Sequence, residues 1–157
     1  MGALKKLFKH TFIYGLATVL PRLLSFILTP IYTDKLATED YGIYASLYVY
    51  LILGNVLLSY GMETAFFRFM NKSERKSEVQ STALTSIFIS SGLFLIISYL
   101  LKDTIASFLE FKPEFILYGI LILFFDALCV IPFAWLRNQE MPLKYSFIKI
   151  ATVVINL

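Results

Sequence analysis

Two ionisable side chains stand near the middle of long apolar runs: Arg22 between Thr11 and Thr33, and Asp126 between Phe115 and Leu136. A charge at the centre of a bilayer costs from ~2.5 to more than 10 kcal/mol, so it normally faces a protein interior or an aqueous cavity. Arg22 is about ten residues from either end of its run, roughly 15 Å at the helical rise. Its guanidinium cannot easily snorkel to either surface over that distance. Asp126 is equally central, and its carboxylate has three options: to pair with Arg22, to hold a proton in an apolar setting, or to bind a cation.

The neighbours of these residues point the same way. Pro21 directly precedes Arg22, and Pro30 follows in the same run. A proline frees the carbonyl four residues back and kinks the helix; at Pro21 that carbonyl belongs to Ala17. Irregular backbone is tolerated at membrane depth only where it is buried in protein or lines a cavity, so Pro21 and Arg22 together predict a polar interior. The second run ends as SYGMETAFFRF, which places Glu63 and Arg68 near its end and Gly61 where the helix can break. Their spacing of five is poor for an ion pair on one helix. Both are therefore candidates for a gate contact with another helix or for interface anchoring.

The elements that must hold these residues follow from composition. The chain is 58% hydrophobic, 17% aromatic and 16% charged over 157 residues, whereas soluble domains are roughly one quarter charged. Crossing a core about 30 Å thick takes roughly 20 apolar residues as a helix. The expected fold is an all-α integral membrane protein with four complete transmembrane helices, over residues 11–33, 41–60, 81–101 and 115–136. A fifth begins at Tyr145 and reaches Leu157, too short to cross. The whole chain is thus expected to form one partial transmembrane bundle, the N-terminal part of a larger protein or the product of an incomplete gene. Leu4, Leu7, Phe8 and Thr11 alternate with Lys5, Lys6 and Lys9 as in a short interfacial helix. Ile105, Phe108, Leu109 and Phe111 form either a similar stripe or a helix end followed by a loop.

The same composition leaves an enzyme little to work with. There is no glycine-rich phosphate loop, no Ser/His/Asp set and no cluster with metal-ligand spacing, so no metal and no cofactor are expected. Cys129 is the one cysteine and lies inside an apolar run; it cannot form an intramolecular disulfide and is expected to pack. His10, beside Lys9, reads as an interface anchor. The net charge of +3 reflects loop asymmetry and does not suggest nucleic acid. The opening KKLFKH is expected to stay on the protein and not to be a cleaved signal, because the run behind it is too long, holds Pro21-Arg22 at its middle and lacks a small-residue cleavage site.

The stretches LPRLLSFILTPIYTDKLATEDYGIYA, SYGMETAFFRF and WLRNQEMPLKYSFIKI resemble the N-terminal part of bacterial polysaccharide flippases. These belong to the multidrug/oligosaccharidyl-lipid/polysaccharide exporter superfamily, a MATE-like architecture of two bundles. The similarity covers nearly the whole chain. It implies export of an undecaprenyl-diphosphate-linked glycan across the bacterial inner membrane by alternating access. Under that resemblance Arg22 would meet the diphosphate or acidic sugars, Asp126 would couple transport to an ion or proton, and Tyr41, Tyr44, Tyr48, Tyr50 and Tyr60 would offer rings and hydroxyls to sugars. The implied partners are the lipid-linked glycan, membrane lipid, and a glycan polymerase or other assembly proteins. A multidrug-type cation exporter of the same superfamily and a noncatalytic scaffold in glycan assembly are the competing readings.

Basic residues set the expected orientation. Lys5, Lys6, Lys9, Arg68, Lys72, Arg75, Lys76, Arg137 and Lys144 fall on one side, and only Lys35, Lys102 and Lys112 on the other, which puts the amino terminus in the cytoplasm. Cysteines substituted at Lys72 and Lys112 should therefore label from opposite faces, with the second reached by an impermeant thiol reagent in intact cells. Equal labelling of the two would refute this orientation.

Overall fold

The computed structural model describes the backbone of residues 2–155, and all side chains there except those of residues 2–7, 9, 10, 17, 18, 21, 22, 25 and 153–155. Among the described residues seven helices follow one another: α1 (Gly2–Lys35), α2 (Thr38–Ser59), α3 (Met62–Lys72), α4 (Lys76–Leu100), α5 (Lys102–Leu109), α6 (Pro113–Asn138) and α7 (Pro142–Ile155). No strand occurs among the described residues. The protein is an all-α membrane protein. Among the described residues three helices are long and apolar enough to cross a bilayer: Thr38–Lys72, Lys76–Leu100 and Pro113–Asn138. The first expected span lies within α1, several of whose side chains are outside the description.

α1 is 34 residues long, about 51 Å of helix. It joins the expected interfacial segment to the first span without a break and continues through Pro21 and Pro30. Beside Pro30, the Thr33 hydroxyl donates to the carbonyls of Pro30 at 2.9 Å and Thr29 at 3.2 Å. The chain divides into two compact units, one made of Met1–Thr38 and Trp135–Leu157, the other of Glu39–Ala134. In the first unit α1 packs on α7. The Tyr14 ring meets Tyr145 edge-on at 5.3 Å, and the Ser146 hydroxyl donates to the Ile13 carbonyl at 3.3 Å. The Arg137 guanidinium lies 5.9 Å from the centre of the Tyr145 ring. α7 begins at Pro142, three residues before the expected start, because proline is well placed in a first helical turn where no N–H is needed.

The second unit holds α2 to α5 and most of α6. The break foreseen at Gly61 falls between α2 and α3, where Tyr60 and Gly61 both take positive φ, 32° and 71°. Glycine adopts such a backbone without strain. α3 then packs on α4, burying Phe66 and Met70 while Arg68 and Phe69 stay exposed. Tyr60 fastens the junction: its hydroxyl lies 3.1 Å from Ser86 Oγ and 3.3 Å from Ser90 Oγ on α4.

Beyond α4 the stripe is helical through Leu109, as α5, and Phe111 lies in the loop that follows; its four apolar residues do not act together. Ile105, Leu109 and Phe111 pack on a core of Ala106, Ile116 and Ile120, whereas Phe108 is 85% exposed. Cys129, expected to pack, is exposed on α6.

Small residues on α2 and α6 leave room for leucine side chains of the facing helix. A Cβ built on Gly54 would lie 2.7 Å from Leu123 Cδ1, and one on Gly119 would lie 3.6 Å from Leu51 Cδ2. Nothing lies within 4 Å of the corresponding point on Gly92. Gly54→Leu should therefore overpack this contact at a cost of about 1–3 kcal/mol, seen as a lower thermal-unfolding midpoint in detergent. Gly92→Ala, the control, should leave that midpoint unchanged or raise it.

Candidate functional site

The site grows from one face of α2. Tyr41, Tyr44, Tyr48, Asn55 and Ser59 recur at steps of three, four, seven and four, which keeps them on one side of a helix. The tyrosines form a ladder, with ring centroids 6.4 Å apart between Tyr41 and Tyr44 and 6.1 Å apart between Tyr44 and Tyr48, the second pair stacked. Tyr44 and Tyr48 are about half exposed, 49% and 53%. Further along the same face, Asn55 Nδ2 donates to Asp126 Oδ2 on α6 at 2.8 Å. Gly54 and Leu123, one turn or less away, hold the two helices close enough for that bond.

Asp126 is exposed on this unit and lies near the midpoint of the 26-residue α6. The carboxamide of Asn55 supplies a donor but no charge, so it orients the carboxylate without neutralising it. Pro132 lies in the same helix and removes the N–H that would pair with the Leu128 carbonyl, two residues beyond Asp126. A carboxylate, an amide, a freed carbonyl and three phenols are thus distributed along adjoining helices. That set can accept and donate hydrogen bonds, stack on a sugar ring and take up a cation or a proton.

The other sequence candidates fall in separate places. Arg22 and Pro21 lie in α1 of the first unit, and their side chains are outside the described residues. Pro30 is exposed on α1. Glu63 is half-buried in the first turn of α3, where the positive end of the helix dipole favours a carboxylate. Arg68 is exposed further along α3, about 140° around the helix from Glu63 at 100° per residue. The five tyrosines also separate. Tyr41, Tyr44 and Tyr48 make the ladder, whereas Tyr50 packs edge-on against Phe111 at 6.0 Å and Tyr60 is held by the α4 serines.

Asn55 and Pro132 were missed by sequence reasoning. Asn55 had a legible signal, being an amide beside a glycine inside an apolar span and in step with the tyrosines. Pro132 had the same signal as Pro21, a proline within a turn or two of an ionisable group in the middle of an apolar run. Among the described residues no group of three His, Cys, Asp or Glu side chains is placed to hold a metal ion.

The hydrogen bond is testable by itself. Bonds to charged groups contribute roughly 1.5–3 kcal/mol, and removing one partner strands the other. Asn55→Leu should lower the unfolding free energy by about that amount, while Asn55→Leu combined with Asp126→Leu should restore most of it. Thermal unfolding of the two single variants and the double variant in detergent gives the coupling; additive losses would mean that the bond contributes nothing.

Comparison with known proteins then bears on this arrangement. No curated protein and no solved structure matches the chain. The family described as polysaccharide biosynthesis protein matches it over residues 7–154, a range that takes in α2, α6, the tyrosine ladder and the Asn55–Asp126 pair, and nearly all of α1 and α7. The chain therefore belongs to the polysaccharide biosynthesis protein family.

Proposed function

We propose that this protein works as a flippase for lipid-linked oligosaccharide, moving an undecaprenyl-diphosphate glycan across the bacterial inner membrane by alternating access. The observation that carries the reading is the Asp126 carboxylate, exposed near the middle of α6 and bonded to a half-buried Asn55. In lipid such a group must face other protein or water, because hydrocarbon offers it no partner. The face of α2 and α6 that bears it, with the tyrosine ladder leading away along α2, is accordingly one wall of a polar path. Membership of a family of polysaccharide biosynthesis proteins supplies the class of cargo.

In this mechanism the protein makes and breaks no covalent bond; it exposes a polar path to one side of the membrane and then to the other. Tyr44 and Tyr48 present ring faces and hydroxyls, which suit the apolar faces and hydroxyl edges of sugars. Arg22 supplies the planar cation for the diphosphate. Asp126, oriented by Asn55, exchanges a proton or cation with the path, and that exchange ties glycan movement to a gradient. The lipid tail stays in the bilayer while the head group crosses. The amino terminus is cytoplasmic, and the protein belongs to the exporter superfamily its sequence resembles, acting beside glycan polymerase and other assembly proteins.

Export of surface glycan in cells tests both residues at matched protein abundance. Arg22→Ala should abolish export, and Arg22→Lys, which keeps the charge and loses the fork, should leave partial activity. Asp126→Asn keeps a side chain that can still bond Asn55 but takes up no proton, so it should leave abundance unchanged and remove the dependence of export on the pH or sodium gradient. Normal export from Arg22→Ala, or gradient-driven export from Asp126→Asn, would overturn the assignment of that residue.

A further inference from the structure

We infer that the groove between α3 and α4 is a binding site for an anionic glycerophospholipid, one acyl chain lying in the groove and the phosphate held at its mouth by Arg75. The inference rests on the groove's own chemistry and not on the transport reading. Phe66 and Phe69 of α3 and Val79 and Ala83 of α4 line a cleft of about 400 Å³, within the range of small-ligand sites. Apolar side chains floor it, and Arg75 and Glu78 stand at its edge.

Depth fits a lipid. α2 alone is 22 residues long, roughly 33 Å of helix against a core about 30 Å thick, and the helix breaks behind it at Tyr60 and Gly61. α3 therefore starts at the edge of the core, which puts its end and the first turn of α4 in the headgroup layer. Arg68, Lys72, Arg75 and Lys76 cluster there and outnumber the nearby carboxylates Glu74 and Glu78. Basic clusters next to a span attract anionic lipid. Apolar depth below and cationic charge above match the two ends of one phospholipid.

Arg75 is available for the role. It gives one N–H to Glu78 at 3.4 Å, with both side chains largely exposed, 78% and 65%. A long contact of this kind contributes little and is readily exchanged for a phosphate. Its remaining guanidinium donors form the fork that pairs with phosphate oxygens. Glu78 therefore competes with the lipid for the same cation, and removing it should strengthen binding.

The test uses the protein in vesicles, with Trp135→Phe to remove its one native indole and Phe69→Trp as a reporter in the groove. Brominated phosphatidylglycerol and brominated phosphatidylcholine are compared as quenchers. Phosphatidylglycerol should be preferred by about five-fold, the ratio that one basic residue near an anionic surface gives. Arg75→Gln should bring the preference to about one, and Glu78→Gln should raise it, consistent with loss or release of that single cation. Thr82→Trp, on the α4 wall, repeats the measurement if Phe69→Trp loses its helical circular dichroism. Equal quenching by the two lipids, or a preference that survives Arg75→Gln, would overturn the site. So would displacement of phosphatidylglycerol by an equimolar amount of undecaprenyl phosphate, which would give the groove to a polyprenyl carrier.

Discussion

A bilayer supplies no hydrogen-bond partners, and most features of this chain answer to that deficit. Backbone groups are satisfied by making every described element helical. Side chains are harder, because Asp126 and Asn55 lie where hydrocarbon would leave them bare. Their mutual bond at 2.8 Å satisfies one donor and one acceptor, but the carboxylate keeps lone pairs, and if ionised a charge, that the amide cannot answer. The remaining demand has to be met by water, by a ligand or by other protein. One constraint thus links local chemistry to the polar path proposed for this protein.

Close packing makes that bond available. Leu123 of α6 fills the space that Gly54 of α2 leaves open. A larger residue at position 54 would meet the Leu123 side chain beside Asn55, so the glycine helps to set the geometry of that bond. Polar bonds in membranes contribute modestly, often less than about 2 kcal/mol. The contact therefore depends on packing at least as much as packing depends on it.

The α2–α3 junction uses a different solution. Positive φ at Tyr60 and Gly61 ends the span, the Tyr60 hydroxyl reaches the serines of α4, and α3 turns an apolar face onto α4 while its cations remain in solvent or headgroups. Short back-bonds such as Ser91 Oγ to the Ile87 carbonyl at 2.6 Å show how α4 carries hydroxyls through an apolar run without leaving them unsatisfied. A helix built this way can pack against several neighbours through small side chains.

The sequence alone determined the class, the main helices and the stopping point at Gly61, because hydropathy and glycine chemistry act over a few residues and need no partner. It also marked Asp126 as out of place in lipid. Only the tertiary structure decided what Asp126 touches, since Asn55 lies 71 residues away and no local pattern reports which helix faces which. The same holds for the tyrosines: one composition yielded a ladder at Tyr41, Tyr44 and Tyr48, a packing ring at Tyr50 and a fastening at Tyr60. It holds too for α5, where periodicity grouped Phe108 with Ile105 and Leu109 although only the latter two meet a core. Spacing fixes the angle of a side chain around its own helix; whether that angle meets protein, lipid or water depends on the elements packed beside it.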